Sequence, residues 1–342
     1  MKTKIIKVSV LGANKKLIAE AAAVIRAGGL VAFPTETVYG LGANALDKKA
    51  VRKIFAAKNR PTDNPLIVHI AKLRDLNKLT ADVPAYAKKL IGAFWPGPLT
   101  LVFYKKSAVH DLVTAKGPTV AVRMPHHPVA LALIKAAGTP IAAPSANRAG
   151  RPSATSAQDV FSDMDGKVAL ILDAGKTKFG LESTVVDVSS AEPVILRPGA
   201  ITREALEIIL KAPVRYESNF RGTARSPGMK YRHYAPKAKI IIISCKAPTE
   251  MAAQERLLIK RFRNQNKRVG ILATLSKTVR RPKADAICFA GSTLNRVARN
   301  LFRCLRQLDR ENVSIILVEG VPERDLGVAI MNRLTKAAAS VR

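Results

Sequence analysis

Apolar and polar positions fall along the chain in alternating helical and strand-like blocks, the pattern of an α/β protein. Leu17, Ile18, Ala21, Val24 and Ile25 form one helical stripe within 15–27, which stops at Gly28–Gly29. The apolar run 30–33 follows as a buried strand. Further strands are expected at 66–70, 99–104, 119–123, 140–143, 168–172, 184–188 and 194–196. Helices are expected at 48–57 behind a capping Asp47, from Pro84 to 93, at 129–137 and at 202–210. The stretch 211–237 lacks either period and reads as a linker. Beyond it, strands at 240–243, 269–273, 286–289 and 314–318 alternate with helices at 249–264, 294–308 and 328–339, the order of a small doubly wound α/β domain. The expected division is a domain over 1–211, a linker over 212–237 and a second domain over 238–342.

Several strands end in polar loops. At 34–42, Pro34 halts the first strand, Thr35 and Thr37 offer two hydroxyls on an extended backbone, and Gly40 and Gly42 permit turns and close ligand approach. Lys58 and Arg60, two apart, would project from one face of extended backbone and grip a triphosphate, or else serve as a solvated helix end. Asn64 and His69 follow. His69 reaches a cleft only if it stands at its strand end. Arg123 closes a strand, where a guanidinium clamps a carboxylate or forms a structural ion pair. Ser145, Asn147 and Ser153 have the composition of a phosphate or nucleoside cradle, although turn chemistry also selects them. Glu182–Ser183–Thr184 and Arg197 repeat the pattern. Five such loops suggest strand ends converging on one cleft.

Composition adds charge. The 342 residues hold 57 Lys+Arg against 25 Asp+Glu, a net +32 that favours polyanions such as nucleotides and RNA. No apolar run approaches the roughly 20 residues of a membrane span, and the start lacks the pattern of a signal peptide. The three cysteines, Cys245, Cys288 and Cys304, are spaced too widely for a zinc knuckle, and their odd number argues against a disulfide framework. A reducing cytoplasm is the expected compartment.

The segments Pro34–Thr35–Glu36–Thr37–Val38–Tyr39–Gly40–Leu41, Lys58–Asn59–Arg60–Pro61, Asn64–Pro65–Leu66, Trp95–Pro96–Gly97–Pro98–Leu99–Thr100, Val122–Arg123–Met124–Pro125, Pro144–Ser145–Ala146–Asn147 and Glu182–Ser183–Thr184 resemble, in order, the YrdC-type threonylcarbamoyl-AMP synthase family. The segment 226–236 and the basic tail resemble its long, two-domain form. The resemblance implies an open, twisted mixed sheet followed by a smaller Rossmann-like domain. It also implies a reaction: L-threonine, bicarbonate or CO2, and ATP give L-threonylcarbamoyl-AMP and pyrophosphate, with Mg2+ on the phosphates and no metal held by protein. A separate transferase complex would pass the product to adenosine 37 of tRNAs reading codons that begin with A.

By the same resemblance, Lys58, Arg60, Asn64, Thr119, Ser145, Asn147, Ser153, Arg197 and Tyr234 would hold ATP. Thr35, Thr37, His69, Arg123, Ala143 and Ser183 would hold L-threonine, with no protein nucleophile. Tyr231 and His233, on a segment assigned to neither domain core, would form a lid with Tyr234. Contact with tRNA or double-stranded RNA fits the charge. A binding module without catalysis is the competing reading, and a related carbamoyl transferase of hydrogenase maturation is a third, which the missing Cys-x-x-Cys pairs disfavour.

Overall fold

The structure, a computed structural model, describes residues 2–9, 14–217, 222, 224–229, 233–245, 247–274, 281–338 and 340–341. It divides into two compact units. The first comprises Met1–Ala149, Ser153–Lys178 and Glu182–Tyr231, the second Gly150–Pro152, Phe179–Leu181 and Arg232–Arg342.

The first unit is built on one mixed sheet with eleven strands among the described residues: β1 (Lys4–Lys7), β2 (Val31–Phe33), β3 (Gly40–Asn44), β4 (Ile67–His69), β5 (Leu99–Tyr104), β6 (Thr119–Arg123), β7 (Ile141–Ala142), β8 (Leu170–Asp173), β9 (Thr184–Asp187), β10 (Val194–Arg197) and β11 (Arg215–Tyr216). Their order across the sheet is β1-β8-β2-β3-β7-β4-β6-β5-β9-β10-β11. The helices are α1 (Lys15–Arg26), α2 (Lys48–Lys58), α3 (Ala85–Phe94), α4 (Asp111–Thr114), α5 (Pro128–Ala137), α6 (Ala157–Met164) and α7 (Arg203–Leu210). One core cluster joins the apolar stripes of α2 and α3 to Ala32, Leu41, Val68, Leu101 and Val122, and another joins α1 and α5 to Val31, Phe33, Ile141 and Leu172. Asp47 caps α2 as its position suggested, accepting from the backbone N–H groups of Lys49 and Ala50.

The structure corrects the reading of Gly40 and Gly42. They lie in a strand, β3, paired antiparallel with β2 in a Val31–Gly42 and Phe33–Gly40 register. A Cβ at Gly42 would come within 2.8 Å of both the Phe33 ring and Ile141, so the glycine lets an aromatic ring lie across the sheet. Several elements escaped the periodicity, β1 and α6 among them. β1 joins the sheet edge beside β8, and α6 starts behind Ser156, whose hydroxyl accepts from the Asp159 N–H. Two described parts of 211–237 pack on the first unit. β11 extends the sheet beside β10, and Arg225 bridges Asp187 and Glu217.

The second unit carries a parallel sheet of β12 (Lys239–Ile243), β13 (Val269–Thr274), β14 (Ala286–Gly291), β15 (Ile315–Glu319) and β16 (Ser340–Val341), in the order β14-β13-β15-β12-β16. Around it stand α8 (Pro248–Arg263), α9 (Leu294–Arg310) and α10 (Leu326–Ala337). This is the alternation read from sequence. Val297, Ala298, Leu301, Phe302, Leu305 and Leu308 give α9 a buried stripe at three- and four-residue spacing, which packs on β13 and β14. Cys288 on β14 and Cys304 on α9 form a disulfide with Cα atoms 5.6 Å apart, while Cys245 is free. The odd count argues against a disulfide framework, and the structure has this single bridge, made because β14 leads into a helix that packs back on it. One bridge with one free thiol satisfies an odd count.

Candidate functional site

The β4–β6 register places His69 beside Arg123 at adjacent strand ends, the position that His69 needs to face a cleft. Both residues are buried, and the loop after β2 closes over them. Arg123 Nη2 lies 2.6 Å from Glu36 Oε1, with each side chain only 4% exposed. Arg123 Nη1 donates to Thr37 Oγ1 at 2.8 Å, and its Nε donates to the Gly97 carbonyl at 3.1 Å. Glu36 Oε1 also accepts from the His126 backbone N–H. Burial by itself would raise the Glu36 carboxyl, but the Arg123 charge and the His126 N–H outweigh it and hold the group below the ordinary carboxylate range. His69 moves the other way. Burial, reinforced by Arg123 and partly offset by Glu36, lowers its pKa to about 3, so the imidazole is neutral at neutral pH. Three buried polar atoms here, Glu36 Oε2, His69 Nδ1 and Arg123 Nη2, have no hydrogen-bond partner, Nη2 keeping only its ion pair with Glu36. Buried polar atoms without partners are uncommon and point to a ligand.

The two threonines do not sit on extended backbone as expected. Thr35 Oγ1 donates to the Val38 carbonyl and accepts from the Thr37 and Val38 N–H groups, a side-chain-closed turn that brings the two hydroxyls within 2.8 Å. Ala143, just past β7, is 3% exposed and packs against Gly40, the first residue of β3, where a Cβ would come within 3.3 Å of it. Ser183 exchanges a 2.7 Å hydrogen bond with Thr100, and Arg197 donates to the Ser183 carbonyl and hydroxyl at 3.0–3.1 Å. Arg197 thus fixes the 182–184 loop. Gly199 packs against that loop so closely that a Cβ there would stand 2.3 Å from the Thr184 nitrogen.

Lys58 and Arg60 part company, contrary to the expectation of a shared face. Lys58 is the last residue of α2, and Asn59 turns the chain into the left-handed region at φ 51°. Lys58 Nζ is 2% exposed as a residue and donates to the Ser145 and Asn147 carbonyls. Arg60 instead donates to Asn64 Oδ1 at 2.6 Å and to the Pro65 carbonyl at 2.9 Å. Asn147 Nδ2 donates to the Arg148 carbonyl, and the Ser153 hydroxyl donates to Glu182. The loop bearing Ser145, Asn147 and Ser153 is fastened to the strand loop by Tyr39, whose N–H and carbonyl bond Ala154 and Ala146.

Thr119 is not brought into this cluster. It pairs with Tyr104 at the start of β6, four residues from Arg123 on the same face. Between them Ala121, with Ile67, Val102, Val185, Val194 and Leu196, makes an apolar floor on which Met229 packs.

The expected lid segment divides. Residues 224–229 go with the first unit, whereas His233 and Tyr234 go with the second. Tyr234 is 5% exposed and stacks on Phe302 at 5.3 Å, with the Arg333 guanidinium 5.6 Å from its ring, so it belongs to a domain core and not to a free linker. His233 packs on Tyr234. Tyr231 lies outside the described residues. Sequence reading missed Glu36 as a site residue. A carboxylate flanked by two threonines looks like surface, and its signal was the need of a buried strand-end arginine for a counter-charge.

Comparison with known proteins agrees with this architecture along the whole chain. A family model described as "Telomere recombination", Sua5_yciO_yrdC, matches residues 23–199, and one described as "Threonylcarbamoyl-AMP synthase, C-terminal domain" matches 201–339. The chain is 49% identical over 93% of its length to a threonylcarbamoyl-AMP synthase of Pyrococcus abyssi, covering 93% of that protein. It is 47% identical over 96% of its length to one of Bacillus subtilis, covering 94% of it. The crystal structure of P. abyssi Sua5 complexed with L-threonine superposes with a TM-score of 0.93 at 46% identity, covering 99% of each chain. The chain therefore belongs to the threonylcarbamoyl-AMP synthase family, in its form with a C-terminal domain.

Proposed function

We propose that this protein is an L-threonylcarbamoyladenylate synthase, a nucleotidyltransferase that makes L-threonylcarbamoyl-AMP and pyrophosphate from L-threonine, bicarbonate or CO2, and ATP. The observation that carries the reading is the buried Glu36–Arg123 pair with two partnerless atoms beside it, Glu36 Oε2 and His69 Nδ1. An amino acid is a zwitterion. Its carboxylate suits Arg123, and its nitrogen supplies hydrogen-bond donors to the two acceptors. Thr37 and Ser183 are at hand for the side-chain hydroxyl. A relative crystallised with L-threonine supports threonine as the substrate.

The chemistry asks little covalent work of the protein. The threonine amine, once unprotonated, attacks CO2 to give a carbamate. A carbamate oxygen then attacks the α-phosphorus of ATP, and pyrophosphate leaves. Catalysis is positioning and charge neutralisation in a site that keeps water from the carbamate and the mixed anhydride. His69, neutral at working pH, accepts a hydrogen bond without adding a charge that would repel an ammonium group. Lys58 fixes the Ser145–Asn147 loop and places a cation there for phosphates, with Arg60 and Asn64 beside α2. The apolar floor between Arg123 and Thr119 suits a nucleoside. Mg2+ arrives on the ATP phosphates. The product feeds a transferase acting on adenosine 37 of tRNA, and the net +32 favours contact with tRNA or double-stranded RNA. The lid expected of 212–237, with Tyr231 and His233, stays part of this proposal, without Tyr234, which packs on Phe302.

The test is pyrophosphate release from ATP by the full chain. It is expected to require both L-threonine and bicarbonate and to fall about 100-fold or more in Arg123→Ala, the scale of a lost positioning contact. Release indifferent to threonine would overturn the reading, and RNA binding without any release would favour a binding module.

A further inference from the structure

The first unit contains a second concavity that the proposed reaction does not use. A cavity of about 460 Å³ is lined by Gly29 and Leu30, by Lys53, Ala56 and Ala57 of α2 with its C-cap Asn59, and by Lys167 and Ala169. Leu30 and Ala169 immediately precede β2 and β8, which run parallel with Val31 opposite Leu170. The Thr35–Thr37 loop follows the other end of β2, so the cavity opens at the sheet end opposite the Arg123 cluster. Its volume lies within the range of small-molecule sites.

Its chemistry is lopsided. Glycine, three alanines and a leucine make the walls apolar and leave the hollow, and the charged lining residues are Lys53 and Lys167, with no carboxylate among the lining. Lys53 Nζ is held at the rim by a 2.6 Å hydrogen bond to the Gly28 carbonyl. Two cations at the edge of an apolar hollow match a ligand with an apolar body and one anionic end. A hydrocarbon or a nucleic acid matches only one half of that description. The wall from Lys53 to Asn59 is the C-terminal half and cap of the helix that delivers Lys58 to the Ser145–Asn147 loop.

We propose that this cavity is a binding site for a small amphipathic monoanion, of the aliphatic or aromatic carboxylate class. The probe is anilinonaphthalene sulfonate, titrated into the full chain by fluorescence and displaced with octanoate or octanol. Saturable binding at one site is expected, with octanoate displacing the dye at about tenfold lower concentration than octanol, the scale of one charged contact. Ala57→Trp and, as a milder filling variant at an exposed position, Ala56→Leu are expected to weaken dye binding by about tenfold or more while circular dichroism stays unchanged. Lys53→Gln with Lys167→Gln is expected to erase the preference for octanoate over octanol. Dye binding that neither filling variant alters, octanoate and octanol competing equally in the unaltered chain, or displacement by a short RNA but not by octanoate would each overturn the proposal.

Discussion

Each unit buries a glutamate–arginine pair at the ends of its strands, and the two pairs are balanced differently. In the first, Glu36 and Arg123 meet at 2.6 Å, one acid to one base, and the acid is held below its ordinary range. In the second, Glu319 at the end of β15 meets Arg281 Nε at 2.7 Å and accepts from the Thr274 N–H, but Glu255 of α8 lies beside it. Burial and then the Glu319 charge push the Glu255 carboxyl up to about 7, partly offset by Arg281. Two acids to one base complete their balance with a proton. The one-to-one pair holds no such proton and leaves Glu36 Oε2 without a hydrogen-bond partner, which is why the recognition site is proposed there.

Breaking the first pair should have the largest effect. Arg123→Met strands a buried carboxylate and is expected to cost about 3–5 kcal/mol in urea denaturation. Glu36→Gln added to it should recover most of that stability without recovering pyrophosphate release. The double variant separates folding from recognition. Arg281→Met should cost less, roughly 2 kcal/mol, because Glu255 and Glu319 can share a proton. That loss is expected to be larger at pH 8 than at pH 5, with pyrophosphate release unchanged.

The smallest effect distinguishes the signs. The Glu36 carboxyl, lowered on folding, contributes stability above the ordinary carboxylate range that disappears as pH falls through it. Glu255 is raised, so between its ordinary value of 4.5 and about 7 the folded chain holds a proton that the unfolded chain has released. Stability therefore declines as pH rises across that window, by at most about 1.4 kcal/mol per pH unit for one proton. Glu255→Gln is expected to remove the decline and leave stability at pH 4.5 unchanged, as measured by denaturation across pH.

The strand-end loops were legible in sequence because Pro34, His69 and Arg123 each punctuate an apolar run, and punctuation is local. What they touch was not. Gly42 reads as a turn residue until the Phe33 ring is seen lying across it, and Lys58 and Arg60 look like a pair until Asn59 turns the chain between them. The helix at 157–164 did leave a signal, Ser156 three residues before Asp159, a helix-start pattern easily passed over in a short element. Glu36 needed knowledge of Arg123, 87 residues away, and Tyr234 needed α9 and α10 to be recognised as core. The second unit was read almost whole, since its strands and helices alternate with clean periods.

The decisive measurement is calorimetric titration of the full chain with L-threonine, L-threonine methyl ester and 3-hydroxybutanoate, which lack respectively nothing, the carboxylate and the amine. Binding of L-threonine alone, abolished in Arg123→Met and weakened in Glu36→Gln, is the result expected of a zwitterion site built on one acid and one base. Equal binding of 3-hydroxybutanoate would show that Glu36 Oε2 and His69 Nδ1 take no part in recognition, contradicting it.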